Sequence, residues 1–114
     1  MRRTFVEVSG FSRGIEREGA EVLREIQVEL LKNLESGKVI QGTGGLRKLR
    51  MPHSRRGKGK RGGYRVIYLD LPHIERTYLL ALYSKDEKDD ISAQEKKSLR
   101  QLVLNLKEGI DKYV

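Results

Sequence analysis

Nine lysines and arginines fall within residues 44–68, in the stretch GGLRKLRMPHSRRGKGKRGGYRVIY, and no Asp or Glu lies among them. They are Arg47, Lys48, Arg50, Arg55, Arg56, Lys58, Lys60, Arg61 and Arg65. A cation beside a phosphodiester stabilises the negative charge that builds on its oxygens during in-line attack. Crowded cations also oppose one another's protonation, which can leave a lysine neutral and able to act as a base. In RNA the 2′-hydroxyl is a built-in nucleophile, so this chemistry requires neither a metal nor a nucleophilic side chain. Tyr64, Tyr68, Tyr78 and Tyr83 could stack on unpaired bases. Core packing is the plainer role for at least two of them. For the cations the plainer role is phosphate binding without chemistry, and the pattern alone weighs the two about evenly.

Other chemistries find less support. The chain has no cysteine, which excludes disulfides, thiolate metal sites and a cysteine nucleophile. Metal-dependent nucleases gather carboxylates around Mg²⁺, whereas the basic stretch has none. Asp86, Glu87, Asp89 and Asp90 could hold an ion, but a charged turn in solvent explains them better. His53 and His73 could in principle act as an acid–base pair. They lie on different connections, however, and both are expected simply to sit in solvent. No Ser, His and Asp fall into a triad.

These side chains need elements to position them. A chain of 114 residues with 37% hydrophobic and 35% charged content reads as one globular domain, residues 1–114. Its 24 Lys+Arg against 16 Asp+Glu give a formal charge of +8, which favours a polyanionic partner such as nucleic acid. The N-terminus has no apolar run to make a signal peptide, and no apolar run is long enough to span a bilayer. Cytoplasmic residence is the expectation, with no membrane association. Residues 4–8 read as a strand closed by Gly10. A helical region over 12–35 follows, with a break suggested at Gly14 or Gly19. Its apolar stripe is Leu23, Ile26, Leu30 and Leu34. Residues 39–45 form a glycine-rich connector without the features of a P-loop. Residues 46–51 alternate, so Lys48 and Arg50 share a face while Arg47, Leu49 and Met51 point the other way. Residues 64–70 and 74–84 make an antiparallel hairpin across a tight Leu71-Pro72-His73 connection. Ser92 and Glu95 fit a capping box that opens a last helix to about residue 112. The order is βαβββα, an α+β fold with a small antiparallel sheet. The helices are expected on one sheet face, leaving the other partly open.

The blocks G-G-L-R-K-L-R, G-K-G-K-R-G-G-Y-R-V-I-Y and Y-L-L-A-L-Y-S-K-D-E-K-D-D-I-S, in this order, resemble the RelE/HigB toxins of bacterial type II toxin–antitoxin modules, within the RelE/ParE superfamily. The resemblance spans residues 42–103 and implies a RelE-like fold. It also implies an mRNA interferase: an endoribonuclease that enters the ribosomal A site and cuts the message by metal-free 2′-hydroxyl attack, needing no cofactor. The family's basic positions fall on Lys48, Arg50, Arg65 and Lys85, with Tyr83 standing in for a tyrosine that some relatives carry after the last basic position. Lys48 and Lys85 both remain open as general base. Arg47, Arg55, Arg56, Lys58, Lys60 and Arg61 are expected to grip mRNA or ribosomal RNA. The implied partners are the ribosome, mRNA and a cognate antitoxin of the HigA/RelB kind with a helix-turn-helix, through which the pair would reach operator DNA. Two other readings stand beside this one: a ParE-like inhibitor of DNA gyrase, and a nucleic-acid-binding module without catalysis.

Overall fold

The computed structural model describes residues 3–53, 59, 63–88 and 90–113, the last four of these by their backbone alone. Strand β1 (Thr4–Glu7) leads into α1 (Ser9–Glu18) and α2 (Ala20–Lys32), then β2 (Lys38–Val39), β3 (Arg47–Met51) and β4 (Tyr64–Leu71). A 3-10 turn (Pro72–Ile74) leads to β5 (Arg76–Ser84), and α3 (Ala93–Tyr113) ends the chain. The five strands form one sheet in the order β1-β5-β4-β3-β2. Four strands are antiparallel to their neighbours, and the edge strand β1 adds to β5 in parallel.

Local sequence accounts for most of these boundaries. Gly19, at φ 103°, separates α1 from α2, and its amide closes α1 on the Ile15 carbonyl at 2.7 Å. Helix α1 starts earlier than the sequence suggests, so Gly10 and Gly14 both lie inside it rather than ending a strand or breaking a helix. Gly14 presses on β5: a Cβ there would come within 2.9 Å of the Leu82 carbonyl oxygen and Cβ. The helix lies flat on the sheet because this position has no side chain. At the other end of the chain the capping box forms as expected. The Glu95 amide donates to Ser92 Oγ at 3.1 Å, and the Ser92 amide donates to Glu95 Oε1 at 3.0 Å.

The helices do not share one face. Helices α1 and α2 bury Phe11, Val22, Ile26 and Leu30 against Leu49, Met51, Tyr64, Val66 and Tyr68. Helix α3 covers the opposite face, where Leu99, Leu102, Val103 and Leu106 meet Ile67, Leu69, Leu71, Tyr78 and Leu80. The reason lies in β4. Both of its side-chain sets are apolar, Val66 and Tyr68 on one side and Ile67, Leu69 and Leu71 on the other, so both faces must be covered. A bulge in β5 adds to this. Ile67 pairs with Ala81 but Tyr68 pairs with Leu79, so Leu80 is the extra residue. Past the bulge the alternation is reset, and Leu79 and Leu82 face α1 and α2 while Tyr78 and Tyr83 face the α3 side.

Candidate phosphate-binding site

Strand register decides which cations meet. Arg50 on β3 lies directly opposite Arg65 on β4, and Arg65 lies directly opposite Tyr83 on β5. Directly opposed residues point to the same face of a sheet. The three side chains therefore form a row across three strands, on the α3 side and towards the end of the sheet from which the basic loop departs. Lys48, two residues before Arg50, shares the face. Arg50 is exposed, whereas Arg65 is only 2% exposed and donates from Nη1 to the Tyr64 carbonyl at 3.1 Å. Lys85 follows Tyr83 by two residues, and its amide donates to the Gly63 carbonyl at 3.0 Å, which holds the β5 end beside the start of β4.

The turn after β5 folds back over this row. Lys48 Nζ and Asp90 Oδ1 form an ion pair at 3.2 Å. Burial alone would raise the pKa of the Asp90 carboxyl. The Ile91 amide, the Lys48 ammonium and the Arg50 charge outweigh it and hold the carboxyl below its usual range. Lys88 lies 4.8 Å from the centre of the Tyr83 ring and forms an ion pair with Glu95. Of the acids weighed as ion ligands, Glu87 is taken by Arg17 at 3.1 Å and Asp90 by Lys48. The turn thus carries counter-charges for its neighbours.

Tyr83 is the distinctive member. Its hydroxyl is buried with no hydrogen-bond partner among the described residues. Burial, with the Asp90 and Glu95 charges adding to it and the Arg65 charge opposing it, pushes its pKa up to about 12. At neutral pH the phenol therefore keeps its proton and can donate but not accept one as a base. The other three tyrosines weighed as stacking surfaces are structural. Tyr64 Oη lies 2.6 Å from His53 Nε2, Tyr68 Oη donates to the Leu34 carbonyl at 2.8 Å, and Tyr78 Oη accepts from Arg76 at 3.1 Å.

A family model described as the RelE toxin of the RelE/RelB toxin–antitoxin system matches residues 14–112. The chain belongs to the RelE toxin family. Its fold is also similar to that of the isolated E. coli RelE toxin in a P21 crystal form. That match has a TM-score of 0.52 at 15% identity and covers 88% of this chain and 98% of the other. Membership implies an antitoxin as partner. Among the described residues of this RelE-family toxin, no helix is long and apolar enough to cross a membrane.

The remaining candidates divide. Arg47 does not join the row: its Nη1 donates to the carbonyls of Glu35 at 3.1 Å and Gly37 at 2.8 Å, which fastens β3 to the segment that follows α2. Arg55, Arg56, Lys58, Lys60 and Arg61 lie outside the described residues. His53 is buried rather than a surface residue, stacked 4.2 Å from Tyr64, and its Nε2 is 3.9 Å from Glu18 Oε1. His73 is exposed in the 3-10 turn that follows the far end of β4, so the two histidines do not meet. Two toxin residues beside the row, Lys38 and Lys88, were not singled out by the sequence. Lys38 lies in a two-residue strand whose other residue, Val39, was expected to open the connector. Lys88 reaches its place only when the turn folds over β5.

Proposed function

We propose that this RelE-family toxin is a ribosome-dependent mRNA endoribonuclease that stops translation by cutting the message. Residues 1–114 form its one domain, and the cytoplasm is where it acts. The observation that carries the reading is the row Arg50–Arg65–Tyr83 across three adjacent strands, with Lys48 beside it. A phosphodiester seated on that row has two guanidinium groups and a phenol as hydrogen-bond donors. The ribose 2′-oxygen attacks the adjacent phosphorus, the P–O5′ bond breaks, and the products are a 2′,3′-cyclic phosphate and a 5′-hydroxyl. The proton leaving the 2′-hydroxyl goes to an amine, for which Lys85 is the candidate because Lys48 is engaged as an ammonium by Asp90, and the departing 5′-oxygen takes up a proton from water. Charge gathers on the phosphate oxygens between these states, and the Arg50 and Arg65 guanidinium groups offset it. Ribosomal RNA, mRNA and an antitoxin of the HigA/RelB kind complete the partners in this reading. Operator DNA is contacted through the antitoxin.

The test uses purified toxin, programmed ribosomes and mapping of message ends. Cuts ending in cyclic phosphates are expected. Arg65→Ala should slow cleavage in a single turnover by about 10²- to 10³-fold while binding stays within a few-fold. Stalled replication without cut messages would overturn the nuclease reading in favour of gyrase inhibition. Equal losses of binding and cleavage would leave a phosphate-binding module.

A further inference from the structure

The cationic row does not end at Arg50. Strand β2 has only two residues, and its pairing places Lys38 directly opposite Lys48. Beyond that pair no strand of the described residues lies on the outer edge of β3, and a groove of about 380 Å³ opens there. It is lined by Glu29, Ser36, Lys38, Lys48, Leu49 and Arg50. A volume of that size is in the range of small-molecule clefts, roughly 300–1,000 Å³.

Two like-charged pairs therefore stand side by side along β3: Lys38 with Lys48, and Arg50 with Arg65. Like charges directly opposed across strands are unfavourable by themselves. Lys48 is answered by Asp90, but Lys38 has no ion-pair partner among the described residues. The two pairs are offset by two residues of β3, about 7 Å at ~3.4 Å per residue. That offset is comparable with the separation of successive phosphates along a polynucleotide strand. Glu29, held 3.6 Å from Lys32, lines the α2 side of the groove and keeps an anion on the lysine side.

We propose that Lys38, together with Lys48, binds the phosphate adjacent to the one seated at Arg50 and Arg65. The groove is then a second phosphate subsite and Lys38 a positioning residue. This rests on the reading of the row as an RNA-cleaving site. Recognition here is of the phosphodiester backbone, without preference for a base.

The experiment compares full-length wild type with Lys38→Ala, Lys38→Gln and Lys38→Arg on programmed ribosomes across a salt series. Alanine and glutamine should raise KM about tenfold, leave kcat within twofold and lower the salt slope by ~0.7, the share of one single-strand phosphate. Arginine should restore KM. An unchanged KM in the alanine and glutamine variants, or a loss in kcat that arginine does not repair, overturns the proposal. Direct binding to oligouridylate reads the same salt slope. A wild type that cuts nothing would therefore sink the nuclease reading and still leave Lys38 tested. Lys38 variants that lose antitoxin while binding RNA normally would give the groove to the protein partner and overturn the subsite.

Discussion

Arg50 and Arg65 face each other directly across β3 and β4, two guanidinium groups on one sheet face, and one of them is buried. Such a pair lowers stability by about 0.2–1 kcal/mol relative to a neutral one. A phosphate bound there would add to the Asp90 charge that already acts on Arg50 and offset the repulsion. Arg50→Gln is expected to leave the melting temperature unchanged or higher while slowing message cleavage about 10²- to 10³-fold. Thermal unfolding and single-turnover kinetics on one preparation check both halves. A variant that loses stability and activity together would point to a structural role instead.

Tyr83 buries a hydroxyl with no partner among the described residues, and its pKa is raised to about 12. The unfolded chain releases that proton near pH 10, whereas the native state retains it. The associated stability is therefore complete below about pH 10 and disappears as pH rises through about 12. Spectrophotometric titration of the wild type should show more than one late tyrosinate, because burial also raises the Tyr68 hydroxyl, and Tyr83→Phe should remove one of them. The phenylalanine variant should be as stable as the wild type or more so, by up to about 1 kcal/mol. Its cleavage should still fall, because the site loses a donor.

The Lys48–Asp90 pair holds a carboxylate where the proposed substrate would place a phosphate. The Asp90 side chain is 63% exposed, so the pair contributes at most about 1 kcal/mol. Asp90→Asn should consequently tighten RNA binding about two- to fivefold at low salt, with the difference shrinking as salt rises. Fluorescence anisotropy with a short RNA measures it. Weaker binding by the variant would instead make Asp90 part of the site.

Gly63 lets β4 approach β3 where the basic loop returns to the sheet. A Cβ there would lie 2.0 Å from the Met51 carbonyl oxygen and 2.8 Å from the His53 amide. Gly63→Ala must push the strands apart and should destabilise the protein by about 3 kcal/mol or more. Gly59→Ala, where no atom of the described residues lies within 4 Å, should stay within about 0.5 kcal/mol of wild type. Chemical denaturation of the two variants provides the comparison.

Local signals in the chain were strong enough to establish several features without coordinates. Alternation in residues 46–51 put Lys48 and Arg50 on one face, and β3 carries them so. The spacing of Ser92 and Glu95 opened α3, and the apolar stripe over residues 23–34 named Ile26 and Leu30, which α2 buries, but not Val22. These features depend on neighbours one to four residues apart, and a periodic pattern records them directly. The family motifs extended that reach to the fold.

Sequence separation hides the rest. That Arg50 opposes Arg65, and Arg65 opposes Tyr83, depends on register across three strands and on a loop and a turn of unequal length. The Lys48–Asp90 pair joins residues 42 apart. The extra residue at Leu80 resets which β5 side chains face α3, and a strict period of two along the strand cannot reveal it. Composition fixed that cations would be plentiful and where along the chain they lie. Only hydrogen-bonded register, set by the packing of both sheet faces, determined which of them stand close enough together to share a phosphate.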